Sequence, residues 1–248
     1  EGKLLEETDY ILEVKQSKEI SEACAHIPNI TFPKYYEDLS SERIITMDWM
    51  DGVHLSEFAK SNDDQELADK IGQALWDFYM YQIHGLKQVH ADPHPGNFMV
   101  DKNHNLIAID FGCIKQIPDD FYDPYFSLTN RENLNDKKFF TAKLHELEIL
   151  TEKDSEKERA YLSEMFKEMF TMFSTPFQSE KFDFTDDNFW KHLTELSERY
   201  SKDPELRRMN GNRGSRHFLY MSRTFFGLYN LLHDLKANVD INKFRVFL

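Results

Sequence analysis

Cysteine is nearly absent: the 248 residues hold two, Cys24 and Cys113. Two thiols cannot build a disulfide framework. They read as free thiols of a reducing compartment, and stability must come from a buried core. Long apolar runs are missing too. No stretch approaches the roughly 18 apolar residues of a membrane-crossing helix, so the expected location is cytoplasmic, with peripheral attachment to a membrane left open. Basic residues are in deficit, with 30 Lys and Arg against 44 Asp and Glu and a formal net charge of −14. Such a chain has no general attraction for nucleic acid or for anionic lipid, and it needs a local cation or a metal ion to bring a phosphate in. No internal repeat, low-complexity linker or glycine-rich loop is found. The opening EGKLLEETDY is charged and does not read as a signal peptide. Without a starting Met it reads as a truncated or processed product.

Apolar residues make up 40% of the chain and aromatic residues 14%, including 21 Phe. That composition belongs to a folded globular chain of one large or two small domains. Residues 3–25 lack proline and read as a largely exposed helix ending before Pro28. The segment RIITMDWM (43–50) is β-branched and aromatic and reads as a strand, closed by the turn signal Asp51-Gly52. In residues 65–86, Leu67, Ile71, Leu75, Phe78 and Gln82 fall on one stripe of an amphipathic helix, with Ala74 and Tyr79 beside it. NFMVD and NLIAID, joined by KNH, read as a β-hairpin. From residue 119 onward the pattern is helical and aromatic, with breaks at Pro124, Pro176, Pro204 and NGNRG (210–214). It ends in a helix over 216–237 that is apolar on several sides. The fold class is therefore α+β, with a helix and strands first and a mainly helical remainder.

The chemistry gathers in HADPHPGN (90–97) and IDFG (109–112). Asn97 follows Asp92 by five residues, and Asp110 follows Asn97 by thirteen. Phosphoryl transfer needs counter-charge and positioning. Magnesium supplies much of this and takes oxygen ligands such as Asp and Asn, while a further carboxylate orients or deprotonates the acceptor. Protein kinases divide these tasks between a His-Arg-Asp-x-x-x-x-Asn loop and a downstream Asp-Phe-Gly. The loop, the hairpin and the Asp-Phe-Gly here keep that register, after a helix of the right kind.

The full string HADPHPGN followed by IDFG resembles the UbiB, or AarF-domain (ADCK), family of atypical kinase-like proteins. Glu7-Thr8-Asp9-Tyr10 followed by Glu13 is similar to that family's lobe-helix element. Thr46-Met47-Asp48-Trp49-Met50-Asp51-Gly52 is similar to its hinge strand. The motif resemblance spans about residues 3–115. It implies a protein-kinase-like fold, with residues 1–52 as a partial small N-lobe and residues 53–248 as a helical C-lobe. It implies ATP and Mg2+ as cofactors. Asp92 would be the catalytic-loop acid, and His90 would brace the loop and the Asp-Phe-Gly. Asn97 and Asp110 would hold magnesium. Glu13 would sit where the family pairs a glutamate with a nucleotide-binding lysine, and Glu7 and Asp9 would face the active site. The backbone around Met47, Asp48, Trp49 and Met50 would meet the adenine. The expected activity is an ATPase, or next a small-molecule or lipid kinase, tied to ubiquinone or other isoprenoid-lipid metabolism. Nucleotide and quinone-pathway components would then be the partners.

The family's Lys-x-Gly-Gln motif, its Ala-rich phosphate loop and its Val-Ala-x-Lys lysine are not found in these residues. That gap motivates a second reading, a catalytically weak pseudokinase or scaffold. A third reading takes His90, Asp92 and His94 as a zinc or iron cluster of a metal-dependent hydrolase. Cys113 reads as a small semi-buried thiol. Arg207, Arg208, Arg213 and Arg216 form a basic cluster that reads as solvated surface.

Overall fold

The computed structural model describes residues 10–205 and 214–245. Glu7 and Asp9, and with them Arg207, Arg208 and Arg213, lie outside the described residues. The chain divides by contacts into two compact units. One comprises residues 1–116 with 223–239, the other residues 117–222 with 240–248. These units are groupings by contact and are distinct from the lobes expected from the sequence.

In the first unit, α1 (Tyr10–Cys24) buries Val14, Ser17, Ile20, Ser21 and Cys24 along one face. The helix is therefore less exposed than its composition suggests. Three of the five buried positions are Ser or Cys, small side chains that pack closely yet add little to a hydropathy pattern. A four-stranded sheet follows, built from β1 (Ile30–Thr31), β2 (Val53–His54), β4 (Phe98–Val100) and β5 (Leu106–Ala108) in the order β1-β5-β4-β2. The expected hairpin is present: Phe98 pairs with Ala108 and Val100 with Leu106 in antiparallel register. β1 joins it in parallel through Ile30 and Leu106. Gly52 leads into β2 at a close approach, where a Cβ would stand 2.7 Å from the Val100 carbonyl oxygen.

The strand expected at 43–50 does not form. The segment makes only isolated bridges, Tyr35 with Met47 and Ser41 with Ile44. The Tyr36 N–H donates to the Thr46 carbonyl at 2.9 Å, and the Asp48 N–H donates to the Lys34 carbonyl at 2.9 Å. β-branched and aromatic side chains favour extended backbone, but a strand also needs a continuous partner and a buried face. Ile44, Met47 and Trp49 are exposed instead.

The helix α2 (Leu55–Ser61) precedes α3 (Gln65–Met80). Asp64 caps α3, accepting from the backbone N–H groups of Glu66 and Leu67. From Ile71 onward α3 is buried nearly all round, Trp76 included, so the expected stripe widens into a core helix. Gly72 allows this, because a Cβ there would fall 2.3 Å from the Ala237 side chain. The helix ends in a π-turn, Tyr81–Gly85. β3 (Gln88–His90) then pairs antiparallel with β6 (Ile114–Gln116), His90 opposite Ile114.

The second unit is mainly helical: α4 (Asp119–Ser127), α5 (Arg131–Asn135), α6 (Lys137–Glu146), α7 (Glu156–Phe173) and α8 (Asp187–Ser201). Side-chain caps at Asn130, Asp136 and Asp186, and the Ser155–Glu158 capping box, set four of the helix starts. Pro124 lies inside α4 and does not break it. The lost backbone bond is offset by burial of Phe121, Tyr122, Tyr125 and Phe126 around it. The core is aromatic: Tyr125 meets Phe170 at 5.3 Å and Phe218 at 5.8 Å between ring centroids, and Phe166 meets Phe218 at 5.1 Å. Phe218 lies on α9 (Arg216–Asp234), whose residues from Arg223 onward belong to the first unit. Among the described residues no helix is long and apolar enough to cross a membrane.

Candidate active site

The loop after β3 is fixed by its own backbone. The His94 N–H donates to the Asp92 carbonyl at 2.8 Å, the Asn97 N–H to the His94 carbonyl at 3.0 Å, and the Ile109 N–H to the Asn97 carbonyl at 3.0 Å. The side chain of Asn97 adds a fourth tie: its Nδ2 donates to the Asp92 carbonyl at 3.0 Å. Its Oδ1 is then the atom left for a ligand. Pro95 and Gly96 open a single 3₁₀ turn ending at Asn97, and His94 caps that turn through Nδ1, which accepts from the Gly96 N–H at 3.1 Å.

His90 lies in the core. Its N–H donates to Gln82 Oε1 at 2.9 Å, its Nδ1 lies 3.4 Å from the Tyr79 hydroxyl, and its ring stands 6.1 Å from that of Phe111. Burial disfavours the imidazolium and pushes the pKa down to about 4, against the opposing pull of Asp110 and Asp92. A neutral, packed His90 can brace the loop. The three members of the His-x-Asp-x-His string do not converge: His90 and Asp92 line a common cleft, whereas His94 does not and is spent on its cap. Among the described residues no group of three or more His, Cys, Asp and Glu side chains is placed to hold a metal ion. The zinc or iron cluster of the third reading thus lacks a ligand set.

Phe111 is fully buried, with the rings of Phe32 and Phe78 each 6.1 Å away and Tyr35 at 6.4 Å. This anchor turns its neighbour Asp110 outward, and the Gly112 N–H donates to Asp110 Oδ1 at 2.9 Å. Glu13, from α1, closes in over Gly112. A Cβ at that glycine would stand 3.3 Å from Glu13 Oε2 and 3.4 Å from Asp110 Oδ1. Two carboxylates therefore face each other across one glycine. Burial, then the charge of Asp110, raises the Glu13 pKa from 4.5 to about 7.

Glu13, His90, Asp92, Asn97 and Asp110 all line one cleft of about 610 Å³. The hinge residues are placed differently. Ile45 lines the cleft, whereas Met47, Asp48, Trp49 and Met50 do not. The Asp48 carboxylate accepts from the Tyr36 hydroxyl at 2.8 Å, and Trp49, 89% exposed, donates its indole N–H to Asp51 at 3.1 Å. Cys113 lines the cleft and is half-buried.

One lining residue escaped the sequence reading. Arg223 on α9 donates from Nη2 to Asp92 Oδ1 at 2.5 Å. One turn further on, Gly227 receives Pro93: a Cβ at Gly227 would fall 2.3 Å from Pro93 Cγ. The available signal was an Arg and a Gly four residues apart in a helix rich in aromatic and apolar residues, a spacing that puts both on one face.

Residues 1–144 match the family model described as the ABC1 atypical kinase-like domain. The chain belongs to the UbiB/AarF family of atypical kinase-like proteins. It is 28% identical over 188 residues to "Probable serine/threonine-protein kinase abkB" of Dictyostelium discoideum, covering 67% of this chain and 27% of that protein. It is 27% identical over 146 residues to "Atypical kinase COQ8B, mitochondrial" of Danio rerio, covering 58% of this chain and 23% of that protein. Over 119 residues it is 32% identical to "Protein ACTIVITY OF BC1 COMPLEX KINASE 1, chloroplastic" of Arabidopsis thaliana, covering 45% of this chain and 16% of that protein. The chain thus corresponds to a minor part of the length of each of these relatives. The solved structure titled "The complex structure of Rv3197-erythromycin from Mycobacterium tuberculosis" superposes with a TM-score of 0.69 at 20% identity, covering 98% of this chain and 57% of that one. This likeness supports the fold, and this UbiB/AarF chain has the α+β, protein-kinase-like architecture.

Proposed function

We propose that this chain carries the magnesium and phosphate side of an ATP site, belonging to a protein that hydrolyses ATP or transfers its phosphoryl group to a small molecule or lipid. One observation carries the reading: Asp92, Asn97, Asp110 and Glu13 share a single cleft, with Asn97 tied to the backbone of Asp92. The donor set fits a hard divalent cation. Asn97 Oδ1 and the Asp110 carboxylate are oxygen ligands of the kind Mg2+ takes alongside phosphate oxygens. Bound Mg2+–ATP would supply the transferable phosphoryl group and neutralise part of its charge.

The chain's own residues do the rest. Asp92 orients the acceptor hydroxyl or water. His90 stays neutral and holds the loop against Phe111. Asn97 and Asp110 face the cation, and the backbone around Met47, Asp48, Trp49 and Met50 is assigned to the base by family motif, with Ile45 of the same segment lining the cleft. Glu7 and Asp9 belong to the same element as Glu13 and are assigned by family motif. Residues 1–52 form part of the small lobe, and residues 53–248 the helical lobe. ATPase activity ranks ahead of phosphoryl transfer, and the setting proposed from family membership is ubiquinone or other isoprenoid-lipid metabolism. The test is ATP turnover by the full-length protein and by its Asp92→Asn and Asp110→Asn variants. Turnover that survives both changes would remove these residues from the site.

A further inference from the structure

The cleft is acidic. Glu13, Asp92 and Asp110 line it, in a chain whose formal net charge is −14. A nucleotide triphosphate entering there meets repulsion that one divalent cation only partly offsets. Among the described residues lining the cleft, Arg223 is the only Lys or Arg. Its placement is constrained from two sides. Its guanidinium reaches Asp92, and its helix is pinned to the same loop where Pro93 seats against Gly227, four residues along the same face. Replacing that glycine by any other residue would force helix and loop apart, so the close approach fixes where Arg223 stands.

The ion pair itself is open to water, with the Arg223 side chain 65% exposed and that of Asp92 43%. Exposed pairs of this kind add little to stability, so a change of partner costs little. A guanidinium also matches phosphate oxygens as well as it matches a carboxylate, through two parallel N–H donors.

We propose that Arg223 is the terminal-phosphate recognition residue of this cleft: Asp92 holds it ready, and it passes to the outermost phosphate of a bound nucleoside triphosphate. The inference rests on the nucleotide site proposed above. It makes Arg223 a determinant of triphosphate over diphosphate selection, and it frees the Asp92 carboxylate for the acceptor at the moment the triphosphate is seated.

The experiment is titration calorimetry of the full-length protein with Mg2+–ATP, Mg2+–AMPPNP and Mg2+–ADP, run on wild type, Arg223→Ala, Arg223→Gln and Arg223→Lys, each first checked by thermal melt. Wild type should bind the triphosphates more tightly than the diphosphate. Arg223→Ala and Arg223→Gln should lose about tenfold to a hundredfold in triphosphate affinity, the range of a charge-assisted pair, with diphosphate affinity unchanged. Arg223→Lys should recover part of the loss. Arg216→Ala, which removes the same charge from an exposed position on the same helix, should leave the ratio intact. A wild type that binds nucleotides while Arg223→Ala keeps the triphosphate-to-diphosphate ratio would overturn this proposal and leave the nucleotide site standing. A wild type that binds none of them would overturn both.

Discussion

The loop at 90–97 and the segment at 43–52, read from the sequence as catalytic loop and hinge, lie within about 60 residues of each other in the chain and differ in what they rest on. The loop is tied by its own backbone, by the Asn97 amide and by the His94 cap, and it sits on a buried floor of His90 and Phe111. The hinge segment has two short bridges, an Asp48 held by Tyr36, and exposed Ile44, Met47 and Trp49. One region has its geometry fixed before any ligand arrives, as groups that must meet developing charge require. The other is also hydrogen-bonded, through Lys34, Tyr36 and Ser41, but it leaves its apolar side chains exposed instead of resting on a buried floor. Burial, and not the number of hydrogen bonds, is what separates the two regions.

The sharpest break in that contrast should come from the charged groups of the loop. Asp92→Asn or Asp110→Asn should lower ATP turnover by about a hundredfold or more, the scale of losing a positioned acid–base group, while the melting temperature stays near wild type. Next comes the floor. Phe111→Ala should cost about 3–5 kcal/mol in denaturant unfolding, as for other buried aromatic truncations. Gly227→Ala should cost about 1–3 kcal/mol by overpacking against Pro93, and it should also lower triphosphate affinity.

A smaller effect is expected at Glu13, and it carries a sign. Its pKa is raised to about 7 by burial and by Asp110, so between pH 4.5 and 7 the native state binds more protons than the unfolded chain, and stability falls as pH rises. Glu13→Gln should therefore raise the metal-free melting temperature at pH 8 and leave it unchanged at pH 4.5. At the low end of the scale, Trp49→Ala should change unfolding free energy by no more than about 0.5 kcal/mol. A large loss there would mean that the hinge segment is as tightly built as the loop.

The sequence made the loop legible because its parts are local. Asp92, Asn97 and Asp110 fall within 19 consecutive residues, so spacing alone expresses their geometry, and the hairpin between them follows from alternation and a turn. Arg223 stays hidden because 131 residues separate it from Asp92, and nothing in local periodicity encodes such a meeting. The burial of α1 is hidden for another reason: Ser17, Ser21 and Cys24 pack like apolar groups without scoring as such. The strand read into residues 43–50 failed because propensity describes a residue's preferred backbone, not the presence of a neighbour to pair with. Pro124 failed as a helix break because the surrounding aromatic burial outweighs one lost bond.

With the half-buried Trp190 replaced by Phe, the exposed Trp49 and the fully buried Trp76 also give the molecule two optical reporters of different character. Trp49 should emit at long wavelength and be quenched by iodide or acrylamide, while Trp76 should emit further to the blue and resist both. Quencher-resolved fluorescence can therefore separate a change at the hinge from loss of the core, in one cuvette and without a label. The extrinsic dye often used to follow nucleotide binding would be unnecessary here.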